Sequence, residues 1–274
     1  MSIDAVSSFE PARLRKTILD MALAGSTVHI PCAFSIVELL AVLHRSFLRY
    51  PGNDPEAPER DYLVLSKGHG VMAQYACMYE KGWIGQQEIN GYFSDGSKLK
   101  GLCDSRLSGL EVTSGSLGHG FSVGVGLAFG IHIKTRSQKV YAIVGDGELN
   151  EGAIWEGALF AAHHGLAHFM VIVDENGYQA MGATKEVLNL GSVEEKFASF
   201  GFEAMTIDGH DERAIEMAIA KLWASPRRSP KAIVAKTIKG KGVPFMEGNN
   251  KWHYTRLSAD TYARAIEALG LTKL

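Results

Sequence analysis

The hydrophobic positions of the chain form short continuous runs that alternate with segments of helical periodicity. The runs predict strands over residues 62–65, 140–144, 169–173, 203–207 and 232–237, because they are apolar, often β-branched and bounded by turn residues. The periodic segments predict helices over residues 11–24, 151–164, 193–200 and 211–224, and from Ser258. Another helix is predicted from Ser35, since residues 35–38 (SIVE) have the form of a capping box. This alternation is typical of an α/β fold with a doubly wound parallel sheet and helices on both faces.

Residues 112–133 form a stretch without any Asp, Glu, Lys or Arg, which is long enough to cross a membrane. The stretch also contains six glycines, two histidines and several Ser and Thr residues. We therefore interpret it as a glycine-rich turn followed by a helix that is buried inside the protein. The pairs Gly120/Gly124 and Gly126/Gly130 are spaced four apart, which predicts the close approach of another helix.

The composition indicates an enzyme domain, with 274 residues, 46% hydrophobic residues and a formal net charge of −2. The near-neutral charge gives no electrostatic attraction to nucleic acid or to an anionic membrane, so neither is an expected partner. Cys32, Cys77 and Cys103 are odd in number and contain no CxxC pair, which predicts reduced thiols. The N-terminus lacks the pattern of a signal peptide, so a cytoplasmic protein is expected.

Two polar residues follow neighbouring predicted strands directly. Asp146 lies in the bracket Gly145-Asp146-Gly147 after the strand 140–144, and Asn176 follows the strand 169–173. A helix connects these strands, so both should end on the same edge of a parallel sheet, where ligands of open α/β folds bind. We therefore expect Asp146 and Asn176 to meet in space.

The chemistry of this pair indicates a metal ion and a phosphorylated ligand. A carboxylate and an amide carbonyl are hard oxygen donors, which suit Mg²⁺ or Ca²⁺ rather than zinc. Mg²⁺ usually takes one or two protein carboxylates and fills its other positions with phosphate oxygens and water. Gly145 and Gly147 would let the backbone approach that ligand closely. The alternative is a pair of ordinary tight turns, since Gly, Asp and Asn are common turn residues.

Gly145-Asp146-Gly147 followed by Asn176 resembles the thiamine diphosphate motif, and the surrounding sequence resembles the N-terminal part of transketolase. Further segments fall in the order of that family: residues 66–69 (SKGH), 115–118 (GSLG), 147–152 (GELNEG), 236–242 (KTIKGKG) and 252–253 (WH). The resemblance covers almost the whole chain. It implies the thiamine diphosphate-binding fold, with a single diphosphate-binding domain over residues 1–274, and the cofactors thiamine diphosphate and Mg²⁺, with Ca²⁺ as a possible substitute.

The resemblance also implies roles for individual residues. It assigns catalytic hydrogen bonding or proton transfer to His29, His69 and His253, and metal binding to Asp146, Asn176 and the main-chain carbonyl of Tyr178. Cofactor binding is assigned to His69, Gly115, Leu117, Gly145, Asp146, Gly147, Glu148, Asn176 and His253, with Gly115 and Leu117 at the aminopyrimidine end. Glu151 and Glu156 match residues near a subunit interface that couple paired active sites. Loop histidines without a catalytic role, and glutamates that merely stabilise a helix N-terminus, are the alternatives.

Two positions depart from the family pattern. Where the family has a Gly-His-Pro segment whose histidine helps to hold the donor sugar, this chain has Gly101-Leu102-Cys103. Leucine cannot hydrogen-bond a sugar hydroxyl, so the usual ketose-phosphate donor is in question. Tyr254 follows Trp252-His253 in place of the more familiar glycine, which would narrow the channel.

The resemblance further implies a split enzyme, because full-length relatives continue into a second α/β domain whereas this chain stops at Leu274. That domain holds the aminopyrimidine and supplies the glutamate that activates it. We expect a separately encoded C-terminal, pyrimidine-binding partner, most simply in an α2β2 heterotetramer. With it, the enzyme would be a transferase that moves a two-carbon ketol unit from a donor ketose to an acceptor aldehyde. The alternatives are a subunit of a 2-oxo acid decarboxylase or acyloin synthase, and a non-catalytic cofactor-binding subunit.

Overall fold

A parallel sheet of five strands lies at the centre of the computed structural model, which describes residues 9–271. The described strands are β1 Thr27–Val28, β2 Tyr62–Leu65, β3 Val140–Gly145, β4 Phe169–Glu175, β5 Tyr178–Gln179, β6 Gly182–Ala183, β7 Glu203–Asp208, β8 Lys231–Lys236 and β9 Thr255–Arg256. The central sheet has the order β2-β3-β4-β8-β7, and all neighbouring pairs are parallel. All five strands therefore end at the same edge of the sheet. The short strands form two antiparallel pairs, β1 with β9 and β5 with β6.

Helices cover both faces of this sheet. The described α-helices are α1 Pro11–Ala24, α2 Ile30–Phe34, α3 Val37–Val42, α4 Val71–Glu80, α5 Gln86–Asn90, α6 His119–Ile133, α7 Gly152–His163, α8 Thr184–Val187, α9 Val193–Ser199, α10 Glu212–Ala224 and α11 Ala259–Ala268. Side chains of β3 alternate between two cores: Tyr141 and Ile143 belong to the core that includes α1, α3, α4 and α10. Ala142 and Val144 belong to the other core, with α6, α7 and α9. The predicted doubly wound α/β architecture is confirmed.

The predicted strands and most predicted helices are confirmed, with boundaries within two residues of the observed ones. The continuous apolar runs identified the strands of the sheet correctly. The strand β3, for example, is buried at every position, as expected for a parallel strand between two helical layers. The prediction of reduced, mostly buried thiols is also confirmed, since Cys32, Cys77 and Cys103 are free and buried.

A helix follows Ser35 as predicted, since α3 begins at Val37, but the prediction that residues 35–38 form its capping box is wrong. The chain forms two short helices here, and α3 begins only after Ile36, which occupies its N-cap position. The Ser35 hydroxyl instead donates a hydrogen bond of 2.7 Å to the carboxylate of Asp174. Glu38 accepts two hydrogen bonds from the Arg15 guanidinium, at 2.7 and 2.9 Å. Both side chains that suggested a capping box therefore make long-range contacts, which local sequence does not reveal.

The prediction that residues 112–133 end in a fully buried helix is only half right. Gly124 of α6 packs against side chains of the sheet, with a hypothetical Cβ atom 3.4 Å from Phe169. Gly126 and Gly130 lie on the other side, where such an atom would meet nothing within 4 Å in the described part of the chain. Ile133 on α6 is likewise exposed. No second helix packs against this face within residues 9–271. Nor does the described chain contain a helix that is both long and apolar enough to span a membrane.

A buried histidine makes the fold sensitive to acid. His44 lies in a π-helical turn, Leu43–Phe47, and stacks on the ring of Phe9 with centroids 5.6 Å apart. Within residues 9–271, neither of its ring nitrogens has a hydrogen-bond partner. Burial, together with the positive charge of Lys81, lowers the pKa of His44 from its ordinary value of 6.5 to about 3. The ring is therefore neutral in the folded protein at neutral pH.

We predict that His44 makes the protein less stable as the pH falls below about 6.5. The unfolded chain takes up a proton there, whereas the folded chain does so only near pH 3, so the unfolded state binds more protons in between. Between pH 7 and pH 5 this difference costs about 2 kcal/mol of unfolding free energy. Urea unfolding of the wild type and of His44→Phe at both pH values measures it. From pH 7 to pH 5 the unfolding free energy of the wild type should fall by about 2 kcal/mol more than that of the variant. An equal fall in both proteins would contradict the prediction.

Candidate functional site

A cavity of about 450 Å³ lies at the edge where the five parallel strands end. It is lined by all the residues that were predicted to act in catalysis, cofactor binding or metal binding: His29, His69, Gly115, Leu117, Gly145, Asp146, Gly147, Glu148, Asn176, Tyr178 and His253. The antiparallel pairing of β1 with β9 holds His29 and His253 on the same side of this cavity. Glu151 and Glu156 lie outside it, exposed at the start of α7.

Asp146 and Asn176 meet as the parallel register requires, because Gly145 at the end of β3 pairs with Asp174 on β4. One Asp146 oxygen accepts a hydrogen bond from the Gly147 amide at 2.8 Å. The other oxygen accepts from the Gly177 amide at 2.8 Å and from the Thr184 hydroxyl at 3.0 Å. The Asn176 side-chain carbonyl accepts from the Tyr178 amide at 3.1 Å. These bonds fix both oxygen donors at the cavity wall.

The carboxyl group of Asp146 has an unusual affinity for protons. Burial, and secondly the negative charge of Asp174, raise its pKa from 3.8 to about 6, against the opposing hydrogen bonds from Thr184, Gly177 and Gly147. No Lys, Arg or His of the described chain forms an ion pair with it. A cation beside Asp146 would lower this pKa, because it would favour the charged form of the carboxyl group.

A buried ion pair lies directly behind Asp146. The Lys67 ammonium group, which follows β2, bonds the carboxylate of Asp174 at the end of β4, and both side chains are almost completely buried. Asp174 also accepts hydrogen bonds from Ser35 at 2.7 Å, from Asn176 at 2.8 Å and from Thr237. Burial alone would raise the pKa of Asp174, but Lys67 and these hydrogen bonds outweigh it and lower the pKa.

Sequence reasoning missed this pair, although a signal was present. Asp174 is the first charged residue after the apolar run of β4, and a buried carboxylate in a parallel strand needs a partner. Lys67 follows β2, two strands away in the same sheet, and so reaches the same edge. The motif at residues 66–69 predicted a role for His69 only, although its lysine precedes that histidine by two positions.

Glu148 connects three segments of the cavity wall. One of its carboxylate oxygens accepts hydrogen bonds from the Ser66 hydroxyl and from the Gly118 amide, the latter at 2.8 Å. Its other oxygen accepts from the Gly145 amide at 3.2 Å. Burial raises the pKa of Glu148 despite these bonds. Because protein donors engage both oxygens, the side chain holds the glycine-rich turn against the ends of β2 and β3.

Three imidazole rings of the cavity lining cluster together. The ring centroid of His29 lies 5.2 Å from that of His69 and 5.2 Å from that of His253. Burial, followed by the charges of Lys239 and Lys67, lowers the pKa of His29 to about 4. The same causes lower the pKa of His253 to about 4, and burial moves the pKa of His69 well below its usual range. The three rings are therefore neutral at neutral pH.

Lys239 determines how His253 presents its protons. The Lys239 ammonium group lies 2.7 Å from Nδ1 of His253 and 2.8 Å from the side-chain oxygen of Asn250. An ammonium group can only donate, so Nδ1 accepts and the proton of the neutral ring resides on Nε2. Lys239 was not among the predicted site residues. It belongs to the quoted segment 236–242, but nothing in the local sequence predicts its contact with His253.

Asp146 and Asn176 can bind a metal ion only with help from a ligand. Within residues 9–271, no group of three or more His, Cys, Asp or Glu side chains is arranged to hold a metal. The site therefore does not form an all-protein cage, and it fits an ion such as Mg²⁺ that keeps most of its positions for phosphate and water. The glycine at position 147 is needed for the close packing of Gln179, since a Cβ atom there would lie only 2.8 Å from the Cβ atom of Gln179.

Comparison with known proteins identifies the family. Residues 12–273 match the family model described as the thiamine diphosphate binding domain of transketolase. The chain is 36% identical over 257 residues to the 6-deoxy-6-sulfo-D-fructose transketolase subunit of Clostridium sp. (strain MSTE9), and the match covers 93% of each chain. It is 34% identical over 273 residues to a subunit of the apulose-4-phosphate transketolase of Actinobacillus succinogenes, covering 98% of this chain and 97% of that one.

Solved transketolases have the same fold. The structure of transketolase from Leishmania mexicana superposes with a TM-score of 0.88 at 27% identity, covering 95% of this chain and 40% of that chain. Transketolase from Campylobacter jejuni also gives a TM-score of 0.88 at 27% identity, covering 98% of this chain and 43% of that one. This chain thus spans about two fifths of these larger proteins. It belongs to the transketolase family, and the part of the family that it matches is the thiamine diphosphate binding domain.

Proposed function

We propose that the chain is a single diphosphate-binding domain that binds Mg²⁺ and thiamine diphosphate in the 450 Å³ cavity. With a separately encoded C-terminal subunit, it would transfer a two-carbon ketol unit from a donor ketose to an acceptor aldehyde. The observation that carries this proposal is that Asp146, Asn176 and three neutral histidines line one cavity of a transketolase-family chain.

In this proposal Asp146, Asn176 and the main-chain carbonyl of Tyr178 hold the metal ion. The raised pKa of Asp146 supports the assignment, because it marks a carboxylate that lacks a cation. Ca²⁺ could replace Mg²⁺, since the same hard oxygen donors suit both ions. Gly145 and Gly147 would bring backbone close to the diphosphate, while Gly115 and Leu117 would contact the aminopyrimidine end.

The chemistry that thiamine diphosphate supplies when bound is the cleavage and formation of a carbon-carbon bond next to a carbonyl group. The part of this chain is to orient the substrates and to supply hydrogen bonds. His29, His69 and His253 have low pKa values and would act as neutral donors towards carbonyl and hydroxyl oxygens. His253 would donate through Nε2, because Lys239 occupies Nδ1.

A partner subunit is supported by the relatives. The two relatives that match this chain at 36% and 34% identity are named as transketolase subunits, and the chain covers 93% and 97% of their lengths. We propose that the partner binds the pyrimidine end of the cofactor and that the assembly is an α2β2 heterotetramer. Glu151 and Glu156 would then lie near the subunit interface, which agrees with their exposure. The free, buried cysteines support a cytoplasmic location.

We predict that metal affinity falls as the pH is lowered through about 6. The ion needs the charged form of Asp146, and protons compete for that carboxylate below its pKa of about 6. Between pH 7.5 and pH 5 the affinity should drop about tenfold, whereas an aspartate of ordinary pKa would give almost no change. Calorimetric titration of Mg²⁺ into the chain saturated with thiamine diphosphate measures this drop.

Two controls separate this effect from others. Titration of Mg²⁺ into free thiamine diphosphate at each pH gives the contribution of the phosphate itself. Asp146→Asn should bind Mg²⁺ weakly and lose the pH dependence that remains after this correction. Asp104→Asn changes a partly buried loop aspartate outside the cavity, which is paired with Arg106, and should behave like the wild type. An unchanged affinity in Asp146→Asn would rule out the proposed metal site.

We predict that the purified chain alone binds the cofactor but does not transfer ketol units. Mixing it with the partner subunit should restore turnover, because in our proposal the partner binds the pyrimidine end of the cofactor. The measurement is ketose formation from a donor and an aldehyde, by the chain alone and with increasing amounts of the partner. Activity should saturate at equal amounts of the two subunits. Robust turnover by the chain alone would contradict the proposed partner dependence.

A further inference from the structure

A second cavity, of about 530 Å³, adjoins the cofactor cavity. The two cavities share the residues His29, Leu102, Ala180 and His253, which form the neck between them. If His29 and His253 donate to the reacting carbonyl, as proposed above, that carbonyl lies at this neck. The remainder of the substrate, beyond the bond that is made or broken, would then occupy the second cavity.

The wall of the second cavity consists mainly of apolar carbon. Val28, Phe93, Leu102 and the ring of Tyr254 contribute this surface, and Phe93, Leu102 and Tyr254 are large exposed hydrophobic residues. Apart from Thr27, His29, Lys100 and His253, the wall offers few hydrogen-bonding groups. Most hydroxyl groups of a polyhydroxylated chain would therefore face apolar side chains without hydrogen-bond partners, which is unfavourable. The cavity thus fits a substrate segment that presents carbon rather than hydroxyl groups.

Leu102 is the apolar residue at the neck itself. It is 43% exposed and packs on the backbone of Gly115, where an added Cβ atom would lie only 2.7 Å from the Leu102 Cδ1 atom. The glycine therefore makes room for this leucine. Any substrate that passes from one cavity to the other contacts the Leu102 side chain, so its polarity discriminates between acceptors near the carbonyl group.

Lys100 lies between the second cavity and a neighbouring surface pocket that Asp104 and Arg106 also line. It lines the second cavity but not the cofactor cavity. Its amide donates a hydrogen bond of 3.2 Å to the Tyr75 hydroxyl, which anchors the backbone. Within residues 9–271 its ammonium group forms no ion pair, and the nearby carboxylate of Asp104 is already paired with Arg106. Lys100 is thus available to a negatively charged group of the substrate.

Resting on the proposed function, we infer that the second cavity selects acceptor aldehydes with an apolar carbon chain next to the carbonyl and an anionic group farther along. Leu102 would discriminate against hydroxyl groups, and Lys100 would bind the anion. In the reaction, the ketol unit forms a new carbon-carbon bond to the aldehyde carbon, and the aldehyde oxygen takes up a proton to become a hydroxyl group.

Three aldehydes of four carbons test the inference in the enzyme reconstituted with its partner. They are 4-oxobutanoate, with an apolar chain and a carboxylate; butanal, with the same chain and no charge; and erythrose, which is trihydroxylated. The donor is 3-hydroxypyruvate, whose carbon-carbon bond breaks with release of carbon dioxide, so one donor serves all acceptors. We expect kcat/KM to fall from 4-oxobutanoate to butanal to erythrose, by about tenfold at each step.

Two variants assign this order to particular residues. Leu102→Asn keeps the side-chain size and adds hydrogen-bonding groups, so it should raise the erythrose-to-butanal ratio of kcat/KM about tenfold. Lys100→Gln should lower the 4-oxobutanoate-to-butanal ratio about tenfold. The matched controls are Leu23→Asn, at a leucine that is 41% exposed on α1, and Lys98→Gln, at an exposed lysine outside the second cavity. Both controls should leave the two ratios unchanged.

The possible failures are distinguishable. A preference of the wild type for erythrose would overturn the inference, as would variants whose rates fall equally with all three acceptors, while the proposed ketol transfer would stand. An equal fall would indicate that the residue contacts the partner or supports the fold, and does not select the acceptor. Absence of ketol transfer to any aldehyde would overturn the proposed function, and the inference with it.

Discussion

The ion pair between Lys67 and Asp174 is the interaction on which the cavity depends. Asp174 receives bonds from the segment between α2 and α3, from the loop after β2 and from the loop after β8, so a single carboxylate holds together segments that are distant in sequence. Loss of one partner would leave the other charged and buried, which typically costs about 3–5 kcal/mol. Asn176 also bonds Asp174, so the pair fixes one of the proposed metal ligands as well.

The electrostatics of the cavity follow from this arrangement. The ion pair with Lys67 keeps Asp174 in its charged form. The negative charge of Asp174 in turn raises the pKa of Asp146, after burial, which is the larger cause. Burial, reinforced by the charges of Lys239 and Lys67, keeps His29 and His253 neutral. Asp146 has no paired cation among the described residues, whereas Lys239 lies beside the neutral ring of His253. In the proposed function a metal ion would stabilise the charged form of Asp146, and Lys239 would attract the diphosphate.

Much of the fold and of the site could be predicted from the sequence because both follow from short-range patterns. Continuous apolar runs located the strands, and the rule that parallel strands end at one edge was enough to predict that Asp146 and Asn176 meet. The same rule also brings Lys67 to the edge where Asp174 lies, although the pair was missed, whereas the contacts of Ser35 and Lys239 could not be predicted in this way. These contacts join segments far apart in the chain, and they depend on tertiary packing rather than on local periodicity.

The small pairing of β1 with β9 makes the cavity depend on residues that lie far apart in the sequence. The hydrogen bonds of Asp146, Asn176 and Asp174 are made with residues up to Thr237. The histidine cluster also requires β9, since the pairing of Thr27–Val28 with Thr255–Arg256 places His29 beside His253. Loss of β9 would therefore separate the two histidines while the contacts of the proposed metal ligands stayed in place.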